Sequence, residues 1–203
     1  IFAFSRYFLP YKGASNGKAI AIPKGIVTLF GVLAVISFLG EGGMMDWSGV
    51  FLTEAKGVDL SLAGVGYAVF SAAMLIGRLI GDKVVQKLGE QRVVIFGGIV
   101  ASVGYIISIV FDNFFMMQFG FILLGFGAAN IVPVVFTLLG RQKEMPINSA
   151  VTAVTSMGYL GVMFGPALLG FIAHGIGIVA VFCILAGMFI LQAIVSSYVF
   201  KVL

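Results

Sequence analysis

Charge is what this chain has least of. Twelve Lys or Arg and eight Asp or Glu make up only 10% of 203 residues, where a water-soluble globule carries roughly 25%. Hydrophobic residues make up 61%, and the mean hydropathy is +1.15. A lipid bilayer is therefore the expected solvent. One cysteine, Cys183, excludes an internal disulfide framework, and one histidine, His174, excludes a His-rich metal set. A Ser–His hydrolase arrangement also lacks support. Gly13-Ala-Ser-Asn-Gly17 matches a nucleophile-elbow pattern, but no strand-turn-helix context surrounds it. The reading is of a protein that is not an enzyme and holds no cofactor or metal.

What is present is a set of long apolar runs. A spanning helix needs about 20 apolar residues, because the hydrocarbon layer is about 30 Å thick. Six runs qualify, at residues 25–45, 60–81, 93–111, 114–140, 147–173 and 176–200. They are continuous rather than alternating, so helices are expected and not barrel strands. The breaks Phe111-Asp112-Asn113 and His174-Gly175 read as tight turns between antiparallel neighbours. The expected fold is an all-α membrane protein with six transmembrane helices.

The basic residues orient it. Arg6, Lys12, Lys18 and Lys24 precede the first span; Arg78, Lys83, Lys87 and Arg92 surround the second connection; Arg141, Lys143 and Lys201 complete the set. These eleven fall on one side of a six-span topology, and only Lys56 falls on the other. That side is expected to be cytoplasmic, with both chain ends inside. The net charge of +4 is then a topology signal and does not imply nucleic acid. Residues 1–23 are polar and carry only positive charge. They read as a cytoplasmic linker ahead of a bundle at 24–203, and lack the apolar core of a signal peptide. The chain begins with Ile1 and not Met, as the later part of a longer protein would.

Polar residues inside the runs need a reason, since a charge at the centre of a spanning helix costs about 2.5–3.5 kcal/mol. Glu41, Asp46 and Trp47 arrive together near the end of the first run. At 1.5 Å per residue Glu41 is about 24 Å along the helix and Asp46 about 31 Å, so Asp46 and Trp47 are expected at the outer interface. Gly42 and Gly43 weaken the helix beside Glu41. Glu41 either faces a central cavity, where it could carry a proton or bind a polar solute, or pairs at the outer surface. Asp46 has the same two options. Asn130, between Gly127 and Pro133, suggests a thin, bent helix. Its amide either binds solute or bonds a neighbouring helix. Gln118 is near the outer end of that span. Tyr67 and Tyr159 either line a path or fill the core. Thr152, Thr155 and Ser156 read as interhelical hydrogen bonders. Gly77 and Gly81 let another helix approach closely, as do Gly161, Gly165 and Gly170 around Pro166. The alternatives there are tight packing and a gating bend.

Three stretches carry a family resemblance. Gly77-Arg-Leu-Ile-Gly81-Asp82-Lys83, followed by Gly89-Glu-Gln-Arg92, resembles the loop motif between the second and third helices of each half of the major facilitator superfamily. The Gly-Pro fifth span resembles the helix with a G-x-x-x-G-P pattern in many members. Glu41-Gly-Gly-Met-Met-Asp46-Trp47-Ser48 is similar to an E-G-A-M-x-D-W-S stretch in a bacterial branch near the fucose permeases. There it lies at the outer end of the seventh of twelve helices. The resemblance runs from about Pro23 to the end.

It implies the C-terminal six-helix half, built as two inverted three-helix repeats, of a permease in the bacterial inner membrane. The implied partners are the lipid bilayer, the N-terminal six-helix half and a small-molecule solute. The implied activity is alternating-access transport of a small polar solute, a symport driven by the proton gradient. The alternative is a free-standing six-helix channel or a half-size homodimeric permease. Gly77, Arg78, Gly81, Asp82, Lys83, Gly89 and Arg92 would form a cytoplasmic gate. One departure stands out. The usual motif places its Asp three residues before a Gly, whereas Asp82 lies seven before Gly89 and Gln86 takes the expected spot. Lys83, Lys87 and Arg92 could instead mark topology alone. A weak internal echo fits the inverted repeats: residues 75–81 resemble residues 163–170.

Overall fold

The structure is a computed structural model, and it describes residues 21–203. Most of the expected linker, residues 1–20, lies outside the described residues. Among the described residues there is no strand, and six helical segments are long and apolar enough to cross a membrane.

The first span is α1 (Ile26–Val50), which runs on without a break as a π-helical turn over Phe51–Ala55. It continues ten residues beyond the expected end at Met45. Asp46 does not stop it, because Asp46 lies on the exposed side of the helix. Gly42 and Gly43 do not break it either. Gly40 and Gly43 are helical and pack against Phe189 and Leu185, whose side chains occupy the space a Cβ would need. The segment Ile26–Ala55 has 30 residues, roughly 45 Å, and Glu41 is close to its midpoint.

A short 3-10 turn at Leu60–Leu62 leads into α2 (Val65–Leu79) and α3 (Gly81–Leu88). These two form nearly one helix, since the N–H groups of Ile80 and Val84 bond the carbonyls of Ile76 and Ile80. The expected loop at Asp82–Lys87 is thus helix. The chain turns at Gly89, whose φ of 82° suits glycine. α4 (Glu90–Val110) follows. At the Asn113 turn, the side-chain oxygen accepts from the N–H groups of Phe115 and Met116 and caps α5 (Phe114–Ala128). The fourth span breaks at Ala129 and Asn130 and resumes as α6 (Ile131–Leu139).

α7 (Ile147–Ile176) is continuous through Pro166. It includes His174, expected in a turn. The turn is made instead by Gly177 (φ 91°), and α8 (Ile178–Val202) completes the bundle.

The packing repeats when the first three spans are exchanged for the last three. α2 packs on α5 as α7 packs on α1, α4 packs on α5 as α8 packs on α1, and α4 meets α8. Equivalent spans run in opposite directions, so these are inverted repeats. The core between them is aromatic. Phe51 stacks on Phe182 with centroids 4.0 Å apart, and Tyr105 meets Phe182 edge-on at 5.4 Å. α2 and α7 are the outlying helices. In their most apolar windows only 28% and 11% of residues are buried, against 61% for the first span. They flank α1 on one face, and the site lies there.

The two ends differ. Lys83, Lys87, Arg92, Arg141, Lys143 and Lys201 gather at one. There Arg141 forms a two-bonded ion pair with Glu90, both contacts 2.7 Å, and Glu144 accepts from the N–H of Ile26 at the start of α1. At the other end Lys56 donates to the carboxylate of Asp112 (2.7 Å) and the carbonyl of Ile109 (2.6 Å).

Candidate functional site

At mid-depth the bundle places one carboxylate against one guanidinium. Arg78 Nη2 donates to both oxygens of Glu41, at 3.2 and 3.3 Å. The pair joins α1 to α2. Arg78 lies at the end of the span Leu60–Leu79, as its place among the basic residues suggested, but the helix runs on into α3 and its guanidinium is turned to a counter-ion on α1.

A second bond fixes the guanidinium. Arg78 Nε donates to the carbonyl of Ala129 at 3.3 Å. In an unbroken helix that carbonyl would accept from the residue four positions on. That residue is Pro133, which has no N–H. The proline thus opens the helix between α5 and α6 and leaves an acceptor for the arginine. The open stretch packs tightly on α2. Asn130 Nδ2 donates to the carbonyl of Gly77 at 3.0 Å. The Cβ of Ala129 lies against Gly77, and the amide of Asn130 fills the place of a Cβ at Gly81. The expected small-residue face is real and its occupant is the fourth span.

The α7 glycines do the equivalent against α1. Leu39 lies where a Cβ of Gly165 would fall, and the Trp47 ring packs at Gly170. Trp47 is half-buried, and its Nε1 is buried with no partner among the described residues. Tyr105 of α4 donates from its buried hydroxyl to the carbonyl of Gly40 at 3.0 Å, and so ties the helix backbone next to Glu41 to the core.

In front of the ion pair is a cleft of about 370 Å³ between α1, α2 and α7. Phe38, Glu41, Gly42 and Met45 form one wall; Tyr67, Ser71, Met74, Leu75 and Arg78 form the other; Val162 of α7 closes the side. Phe38 is also stacked on Tyr159. The Arg78 side chain is 45% exposed and that of Glu41 20%, so the guanidinium is the more open partner.

The expected pathway residues thus divide. Glu41 and Tyr67 line the cleft. Asn130 does not; it lines a separate cavity of about 270 Å³ toward the basic end, with Asp82, Gln86 and Glu90. Gln118 is buried away from the cleft, and both its amide atoms lack partners among the described residues. Asp46 is exposed and outside the cleft lining. Lys83 and Arg92 are exposed and make no ion pair among the described residues. Among the described residues no three His, Cys, Asp or Glu side chains come together as a metal site.

Arg78 as the partner of Glu41, and Ser71 and Met74 as lining residues, are additions from the structure. A signal for them existed. Tyr67, Ser71, Met74 and Arg78 recur at the spacing of one helical face, opposite Phe38, Glu41 and Met45 on α1.

This geometry defines an integral membrane bundle of two inverted three-helix units with a charged cleft on its open face. A sequence profile of the Major Facilitator Superfamily matches residues 25–202, and the chain belongs to that superfamily. It is 46% identical over 159 residues to an uncharacterized MFS-type transporter of Yersinia pestis, covering 78% of this chain and 41% of that protein. It is 30% identical over 150 residues to membrane protein MosC of Rhizobium meliloti, covering 74% of this chain and 37% of that one. The chain thus spans about two fifths of the length of these relatives. Among solved structures, tetrameric PepTSo2 superposes with a TM-score of 0.71 at 20% identity, over 87% of this chain and 40% of that one. A peptide transporter POT variant in complex with sulfate gives 0.73 at 20% identity, over 87% and 37%. These likenesses concern the fold.

Proposed function

We propose that this bundle is the C-terminal half of a secondary transporter that moves a small polar solute by alternating access, coupled to protons. The observation that carries the reading is the Glu41–Arg78 pair at mid-depth, open to a cleft on the face left by α2 and α7. A structural ion pair would be expected to be closed off, because exposure to acyl chains is costly. An opening onto a cleft suits a group that must meet solute and water. The second wall would come from an N-terminal six-helix half. Relatives about twice as long as the chain are consistent with that.

Glu41 is the proposed proton carrier and Arg78 its counter-charge. On this reading the basic end is cytoplasmic, which is supported by Lys24, Lys83, Lys87, Arg92, Arg141, Lys143 and Lys201 at that end and Lys56, tied to Asp112, at the other. Gly89 and the Arg141–Glu90 pair would form part of the cytoplasmic gate. The test is uptake of a compound panel by the complete protein in liposomes, with and without an imposed pH gradient. The reading requires saturable uptake that the gradient accelerates and that Glu41→Gln uncouples from it. Gradient-driven uptake that persists unchanged in Glu41→Gln contradicts the coupling assignment. Conductance without saturation contradicts alternating access.

A further inference from the structure

The cleft is not symmetric in charge, and this narrows the solute. Arg78 uses Nε on Ala129 and Nη2 on Glu41, and a guanidinium has further N–H donors on Nη1. Nη1 has no partner among the described residues. Glu41 is the less exposed of the pair, and both its oxygens already face the same nitrogen. Besides this pair no charged side chain among the described residues lines the cleft; the remainder is mainly Phe38, Met45, Phe70, Met74 and Leu75, with Tyr67 and Ser71 as polar groups.

Resting on the transport reading above, we propose that the solute carries a single carboxylate on an apolar body, and that the carboxylate binds the Nη1 edge of Arg78. An arginine fork matches a carboxylate through paired N–H bonds, and an aromatic and aliphatic wall takes the rest.

Charge balance then sets the coupling. The empty cleft holds one cation and one anion and is neutral. A bound carboxylate brings it to one net negative charge in a region of low dielectric. Uptake of one proton by Glu41 restores neutrality, so anion and proton cross together with no net charge moved. The groups facing Glu41 fit this assignment. α2 brings Arg78 and Tyr67, α4 brings Tyr105 at the Gly40 carbonyl, and α7 brings Tyr159 on Phe38. α8 meets this part of α1 through Leu185, Phe189 and Gln192, none ionisable. Among the described residues Arg78 is therefore the only fixed positive charge at the site.

The experiment is calorimetric titration of the purified complete protein with phenylacetate, phenylacetamide and phenethylammonium, three similar shapes of different charge. Each is run in two buffers of different ionisation enthalpy, which counts protons taken up. Phenylacetate is expected to bind at least about tenfold more tightly than the other two, with about one proton taken up per anion. Arg78→Gln should weaken it by about tenfold or more. In Glu41→Gln the proton count should fall to near zero whatever the affinity. The ranking and the proton count are read on the unmodified protein, so they decide the matter even where a variant fails to fold. Preference for the amide or the amine, no binding of the carboxylate, or anion binding without proton uptake overturns the proposal. If the amide or amine is the compound bound, and is carried by the protein in liposomes, the transport reading stands without it. If no compound in the liposome panel is carried saturably, the transport reading falls as well.

Discussion

The carbonyl of Ala129 accepts from Arg78 Nε at 3.3 Å because Pro133 cannot claim it. One residue type in the fourth span thereby sets the position of a guanidinium in the second. The effect is local backbone chemistry acting across a helix interface. It explains why a proline is tolerated in the middle of a spanning segment: the group it frees is satisfied by a neighbouring helix.

Pro133→Ala should therefore separate stability from function. A regained N–H would compete for the Ala129 carbonyl, and the lost bond to Arg78 is worth about 1 kcal/mol. The apparent KM for solute should rise roughly fivefold, as that energy implies. Thermal stability should hold or increase, since proline is a poor residue for a helix interior. Initial uptake rates and melting temperature, measured together on the complete protein, check this.

Gly81→Ala should destabilise through overpacking, by roughly 1–3 kcal/mol, because a Cβ there collides with the Asn130 side chain. Gly175→Ala is the matched control, with nothing within 4 Å of its Cβ position, and should be close to neutral. Thermal unfolding in detergent gives the comparison.

Glu41 and Arg78 should be energetically coupled. Glu41→Ala and Arg78→Ala each leave one charge without its partner at mid-depth. The double substitution should cost less than the sum of the two, by about 0.5–3 kcal/mol. A thermodynamic cycle on unfolding midpoints measures the difference, and strict additivity would argue against the pairing.

Tyr105→Phe removes the hydroxyl that holds the Gly40 carbonyl and nothing else of its shape. The expected cost is about 1 kcal/mol. The carbonyl keeps its place in the α1 ladder, so the loss should be visible as a modest drop in melting temperature with transport largely retained.

Much of this architecture is legible in the sequence, because membrane spans announce themselves by length and by freedom from charge. The order of the six spans, their antiparallel neighbours and the glycine faces at Gly77, Gly81, Gly165 and Gly170 all follow from that. Hydropathy fails where a charged residue sits on one face of a helix that continues. Asp46 suggested an end to the first span, yet the helix runs to Ala55 with Asp46 on its exposed side. Asp82, Lys83 and Lys87 read as loop for the same reason and are helical. Glu41 stood out as an acid in oil, but its partner lies 37 positions away. No local pattern joins them; only the packing of α2 across α1 does. Arg78, grouped with Lys83 and Arg92 by charge, differs from them in meeting a carboxylate on α1 and a freed carbonyl on the fourth span.

The measurement closest to the central claim is the solvent access of Ser71, which lines the cleft beside the pair. In the complete protein with its native cysteines, Cys183 among them, replaced by serine, Ser71→Cys gives a single reactive thiol at that wall. If the pair faces an aqueous cavity closed by a second bundle, a charged, membrane-impermeant thiosulfonate reagent should modify that thiol, and bound solute should protect it. If the thiol resists the charged reagent but reacts with a lipid-soluble maleimide, the face looks onto acyl chains and the account fails.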